Sequence, residues 1–98
     1  MFDINKGITE YKNDPGSVLL DVREMDEFAA GHIPEAINHP LSKIIMITAA
    51  FPDKDKMYYV YCRSGNRSGK AVEMMKDMGY KYLKNIGGIM DYTGTIEK

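Results

Sequence analysis

The sequence is informative first through what it lacks. It has one cysteine, Cys62, in 98 residues, which excludes an internal disulfide framework. Its two histidines, His32 and His39, argue against a dedicated zinc site. A formal net charge of −1 leaves no electrostatic case for nucleic acid or an acidic membrane as a partner. No apolar run approaches the roughly 18 residues that a membrane span needs. The opening Met1-Phe2-Asp3-Ile4-Asn5-Lys6 does not have the form of a signal peptide, so the expected location is cytoplasmic. Linkers, internal repeats and low-complexity segments are also missing. The length then predicts one domain over residues 1–98, built on a single core.

What is present is ordinary in bulk: 44% hydrophobic and 28% charged residues, the values of a globular chain. Eight methionines point to an adaptable core and carry no functional signal. The informative stretch is Tyr61-Cys62-Arg63-Ser64-Gly65-Asn66-Arg67-Ser68-Gly69. The apolar run Met57-Tyr58-Tyr59-Val60-Tyr61 delivers the cysteine from a strand. A loop of small residues follows, and then a helical pattern from about Arg67 to Met78. Backbone N–H groups in such a loop converge on one point, and the helix dipole adds positive potential there. A thiol so placed falls from about 8.5 into roughly the 3.5–7.5 range. Arg63 and Arg67 push the same way. A lone cysteine is more often a small buried hydrophobe. Yet a structural cysteine has no need of Gly65, small polar neighbours and two arginines directly after it, so Cys62 reads as reactive.

In chain order, Phe2 to Ile4 suits a short edge strand, and Ile8 to Lys12 a weak helix ending at the turn Asn13-Asp14-Pro15-Gly16. The run Ser17-Val18-Leu19-Leu20-Asp21-Val22 fits a strand buried on both faces of a parallel sheet. Arg23 to Gly31 reads as a short helix with early acids and a terminal glycine, anchored in the core by Phe28. A loop with a brief strand at Ala36 to Asn38 follows, and His32 within it reads as a hydrogen-bonding loop residue. Leu41 to Phe51 fits helix or strand and is taken as helix; its apolar residues lie on more than one face. Pro52 to Lys56 is a solvated charged turn. In the helix after the cysteine loop, Ala71, Met75 and Met78 with Val72 form an apolar stripe, and Gly79 closes it. Tyr80 to Ile86 is a last strand, with Gly87-Gly88 as a turn before a short terminal helix. Alternating strands and helices predict an α/β fold with a parallel sheet. Ligands in such sheets bind beyond the carboxyl ends of the strands, and Cys62 sits just past one.

Asp21-Val22-Arg23, Glu27-Phe28, Gly31-His32-Ile33-Pro34, Ala36-Ile37-Asn38, the cysteine loop through Ser68 and Gly87-Gly88 together resemble the single-domain rhodanese family. The match runs in order over nearly the whole chain, and its specificity lies in the combination. The resemblance implies a central parallel β-sheet flanked by helices on both faces, and sulfur transfer through a cysteine persulfide. It implies that Cys62 is the nucleophile and that Arg63, Ser64, Gly65, Asn66, Arg67 and Ser68 hold the sulfur. It further implies that Asp21 and Arg23 brace the loop, with Arg67 paired to Asp21. Two positions depart from the pattern: Glu35 stands where the family has glycine, and Tyr92 where it commonly has tryptophan.

The chemistry expected of these residues is thiolate attack on the outer sulfur of a donor such as thiosulfate, then removal of that sulfur by a thiol, a protein acceptor or cyanide. Arg63, with Arg67 second, suits an anionic donor. This route calls for an exposed cysteine and for no metal or organic cofactor. Two rivals remain. A cysteine phosphatase or arsenate reductase resembles Cys-x5-Arg, but here Arg67 comes one residue early and Ser68 fills the arginine's place. A partner-binding module, or a carrier that passes sulfur to one protein, is the other. For the carrier version, the expected docking patch is Leu41–Phe51, with Ile44 and Ile47 as its contact residues.

Overall fold

The computed structural model describes residues 2–98, and its first element departs from expectation. Helix α1 spans Ile4–Lys12, where a strand was expected at Phe2 to Ile4. The cause is Asp3, whose side chain accepts from the Lys6 N–H at 3.2 Å and caps the helix. Ile4 and Ile8, one turn apart, are its buried face.

The sheet follows from the apolar runs. Strands β1 (Val18–Asp21), β2 (Ile37–Asn38), β3 (Met57–Cys62) and β4 (Tyr82–Gly88) are all parallel, in the order β2-β1-β3-β4. β1 is buried along its whole length, as a strand covered on both faces must be. Side chains alternate across the two central strands. Val18, Leu20, Tyr58, Val60 and Cys62 join one core cluster, which Ala71 and Met75 of helix α4 (Asn66–Asp77) complete. Leu19, Tyr59 and Tyr61 join the other with Ile4 and Ile8 of α1. Helices therefore cover both faces, and the thiol points to the α4 side.

Between these elements, α2 (Met25–Ala30) follows β1 but buries no residue. Phe28 is consequently no core anchor; its ring stacks on His32 with centroids 3.7 Å apart. Leu41–Phe51 is helical, as a 3-10 helix at Leu41–Met46 running into α3 (Ile47–Ala50). Gly79 follows α4 at a φ of 98°, closing it as expected. Gly87 and Gly88 belong to β4 instead of forming a turn. The register slips there, since Val60 pairs with Asn85 but Tyr61 pairs with Gly87, so Ile86 is an extra residue in the ladder. A second 3-10 turn at Ile89–Asp91 follows.

Both departures from the family pattern have physical answers here. Glu35 adopts a φ of 75°, a region that glycine favours, and its carboxylate accepts from the Tyr11 hydroxyl at 2.9 Å. Tyr92 packs half-buried against the α1-side cluster.

The 3-10 helix corrects the expected docking patch. Ile44 and Ile47 are fully buried in the α4-side core, whereas Ile45 and Met46 are 77% and 64% exposed. A charge at Ile44 or Ile47 would break the fold and so could not test docking. We predict that Ile44→Ala costs about 2–5 kcal/mol of stability, and that Ile45→Ala stays within about 0.5 kcal/mol of the parent. Urea denaturation midpoints check both, and equal losses would contradict the assigned burial.

Candidate active site

Four parallel strands end at the same edge of the sheet, and β3 ends in Cys62. The chain must turn there into α4. It does so through Gly65, the residue before the helix, at a φ of 104°. A side chain at Gly65 would be strained by that angle and would also strike the Phe2 ring at 2.7 Å. The turn directs backbone N–H groups inward. Gly65 N donates to Cys62 Sγ at 3.0 Å, and Ser68 Oγ lies 3.4 Å from the same sulfur.

Beneath the loop lies the end of β4. A Cβ on Gly88 would come within 2.1 Å of the Arg63 carbonyl oxygen and 2.4 Å of Ser64 Cα. Only glycine permits this approach, and Met90 N then donates to that carbonyl at 3.2 Å. The glycine pair is therefore part of the floor of the cysteine loop.

Cys62 is 1% exposed, in contrast to the open thiol expected from its chemistry. Burial alone would push the thiol up. Hydrogen bonds from the Ser68 hydroxyl and from the N–H groups of Ser68, Gly65 and Ser64 outweigh burial and hold it below its ordinary value. The first turn of α4 contributes Ser68 to this ring, which places the sulfur at the positive end of a twelve-residue helix.

The loop residues Cys62, Arg63, Ser64, Gly65, Asn66, Arg67 and Ser68 thus come together around one sulfur. Arg63, Ser64 and Asn66 are exposed at its rim, and Ser68 is fully buried. Asp21 and Arg23 do not join them. Asp21 shares the sheet face of Leu19 and Tyr61, opposite to Cys62, because side chains alternate along a strand. There Arg23 grips it at 2.7 Å and donates onward to the Gly31 carbonyl at 2.7 Å, so the pair ties β1 to the end of α2.

Arg67 pairs with Glu27, not with Asp21. The contact is bidentate, at 2.6 and 2.8 Å, and joins α2 to the first turn of α4. Glu27 also accepts from the Glu24 N–H at 3.1 Å, capping its own helix. His32 matches its expected structural part. Nδ1 lies 2.9 Å from the Phe28 carbonyl, and its backbone bridges Glu97.

Asn85 was not anticipated. On β4, its side chain meets Ser68 Oγ at 2.7 Å and the Gly65 carbonyl at 2.9 Å. Its place at the inward-facing alternation of the strand, two residues after Leu83, was the one available signal for a polar side chain there.

A thiol ringed by N–H donors at the carboxyl edge of a parallel sheet defines a class: α/β proteins with a cysteine held in a loop of backbone donors. Comparison with known proteins narrows the class. The model of the rhodanese-like domain matches residues 6–95. The chain is 40% identical over 73 residues to the thiosulfate sulfurtransferase PspE of Escherichia coli, covering 74% of this chain and 70% of that protein. It is 35% identical over 80 residues to the adenylyltransferase and sulfurtransferase uba4 of Ogataea parapolymorpha, but spans only 21% of that longer protein. Among solved structures, a rhodanese with anions from E. coli superimposes with a TM-score of 0.77 at 36% identity, covering 85% of this chain and 99% of that one. The chain belongs to the rhodanese-like family. Sulfurtransferases are among its relatives.

The Glu27–Arg67 pair has a pH signature. Its hydrogen bonds with Arg67 hold the Glu27 carboxyl at about 2, against an ordinary 4.5. A depressed carboxylate stabilises the fold above its unfolded value and loses that contribution as pH falls through its folded one. Glu27→Gln should therefore unfold more easily than the parent at neutral pH, with the gap closing as pH falls from about 4.5 to about 2. Denaturation midpoints across that range check this, and a gap independent of pH would contradict it.

Proposed function

We propose that the protein is a sulfurtransferase whose Cys62 carries sulfane sulfur as a persulfide. The observation that supports this most is the ring of donors around Sγ, which stabilises an anionic sulfur without any neighbouring base. A thiolate needs none: it attacks the outer sulfur of thiosulfate directly, forming an S–S bond as the sulfur–sulfur bond of the donor breaks and sulfite leaves with its electron pair. The charge then rests on the outer sulfur of Cys62. A thiol, once ionised, or cyanide takes that sulfur, and the Cys62 thiolate is restored. A persulfide donor reacts in the same way, with a thiolate as leaving group.

In this reading Arg63 attracts the anionic donor. It is exposed at the rim, whereas the charge of Arg67 is offset by Glu27. Ser64, Gly65 and Ser68 hold the sulfur through N–H groups, and Asn66 and Arg67 form the helix start that shapes the loop. Asp21 and Arg23 brace the sheet edge from which the loop departs. A cytoplasmic setting, where thiols stay reduced, keeps Cys62 available.

Phosphatase chemistry is disfavoured by the same geometry. Its arginine would have to bind a phosphate, and the arginine present is occupied by Glu27. A sulfur carrier for a protein acceptor remains the second reading, favoured by the exposed Ile45 and Met46, whose neighbours Ile44 and Ile47 share a core cluster with Cys62.

Intact mass after incubation with thiosulfate tests the proposal. The parent protein should gain one sulfur atom, lose it on adding a reductant, and show neither change as Cys62→Ser. A gain only from a polysulfide or a persulfidated protein would favour the carrier reading. No gain from any of these donors would overturn sulfur transfer.

A further inference from the structure

Two acceptors compete for the single hydroxyl proton of Ser68. Asn85 Oδ1 lies 2.7 Å from Ser68 Oγ, and Cys62 Sγ lies 3.4 Å from it. A hydroxyl donates once, so it serves one of them at a time. Asn85 is itself held firmly. Its Oδ1 accepts from the Gly87 N–H at 3.0 Å and its Nδ2 donates to the Gly65 carbonyl at 2.9 Å. An N–H on one side and a carbonyl on the other settle which end of the amide is oxygen. Gly65 in turn presents its own N–H to Sγ. Asn85 therefore grips the cysteine loop at two points without touching the sulfur.

We propose that Asn85 is a positioning residue that sets the ionisation of Cys62 by competing for the Ser68 hydroxyl proton. In the neutral form the Cys62 S–H donates to Ser68 Oγ, and the Ser68 O–H donates to Asn85 Oδ1. When the thiol proton leaves to solvent, the hydroxyl rotates onto the thiolate. Asn85 Oδ1 keeps the Gly87 N–H, so neither state leaves a buried acceptor bare, and the rotation avoids the cost of an orphaned polar group. The β4 bulge supplies that second N–H. Resting on the sulfurtransferase reading, the same rotation follows the charge during turnover: onto Sγ in the thiolate, and back to Asn85 once the charge lies on the outer sulfur.

The test separates the competition from a simple tether. Asn85→Asp and Asn85→Leu both lose the Nδ2 bond to Gly65, but the first strengthens the acceptor facing Ser68 and the second removes it. The pH dependence of Cys62 alkylation by iodoacetamide would be measured on the full chain for both variants, alone and combined with Ser68→Ala. The midpoint of Asn85→Asp should lie about one pH unit or more above that of Asn85→Leu. Ser68→Ala should remove more than half of that gap. A gap of which half or more survives Ser68→Ala, or no gap at all, would overturn the proposal. If thermal melting shows Asn85→Leu unfolded, Asn85→Ala takes its place with the same expectation. Alkylation needs no sulfur donor, so failure of the sulfurtransferase reading would show separately, as separated midpoints without any gain in mass.

Discussion

Everything else in this domain serves the contact between one sulfur atom and the donors turned toward it. Cys62 is buried, and a buried thiol is ordinarily harder to ionise. The N–H groups of Ser64, Gly65 and Ser68, with the Ser68 hydroxyl, reverse that balance. They can do so only if the chain turns sharply after β3, which demands a residue at a φ of 104°, and only if β4 passes directly underneath, which demands Gly88. The left-handed residue and the bare glycine are requirements of one interaction.

Charge is arranged around the loop to leave that interaction undisturbed. Arg67 would otherwise stand near the thiolate as an unpaired cation, and Glu27 takes it in a bidentate grip. Asp21 and Arg23 neutralise each other on the opposite sheet face. Neutral dipoles, fixed by the backbone, are left to stabilise the sulfur. Dipoles fixed by the backbone meet a negative charge on sulfur without reorganising.

The parts of this arrangement that are local in sequence were legible. A continuous apolar run, a small-residue loop and an amphipathic helix announced β3, the cysteine loop and α4, since each is decided by neighbours within a few residues. Asp3 carried a capping signal that outweighs the strand character of Phe2 to Ile4. What could not be read depends on residues far apart. Glu27 and Arg67 are 40 positions from one another, and Ser68 and Asn85 are 17 apart. Gly87-Gly88 looked like a turn because two glycines usually make one, whereas here the constraint is a loop from another part of the chain. In Leu41–Met46 the tight 3-10 winding sends Ile44 inward and Ile45 outward, a split that apolar composition alone does not reveal.

The central claim is that folding itself makes the Cys62 thiol easier to ionise. Because the chain has one cysteine, the difference in ultraviolet absorbance between the parent and Cys62→Ser during a pH titration reports that residue alone, with the contribution of the seven tyrosines subtracted. Titrating the native protein and the same protein in concentrated urea measures the claim directly. The account predicts a native midpoint below that of the unfolded chain, which should titrate near the ordinary thiol value of about 8.5. A native midpoint at or above the unfolded one would mean that burial wins over the loop's donors, and would contradict it.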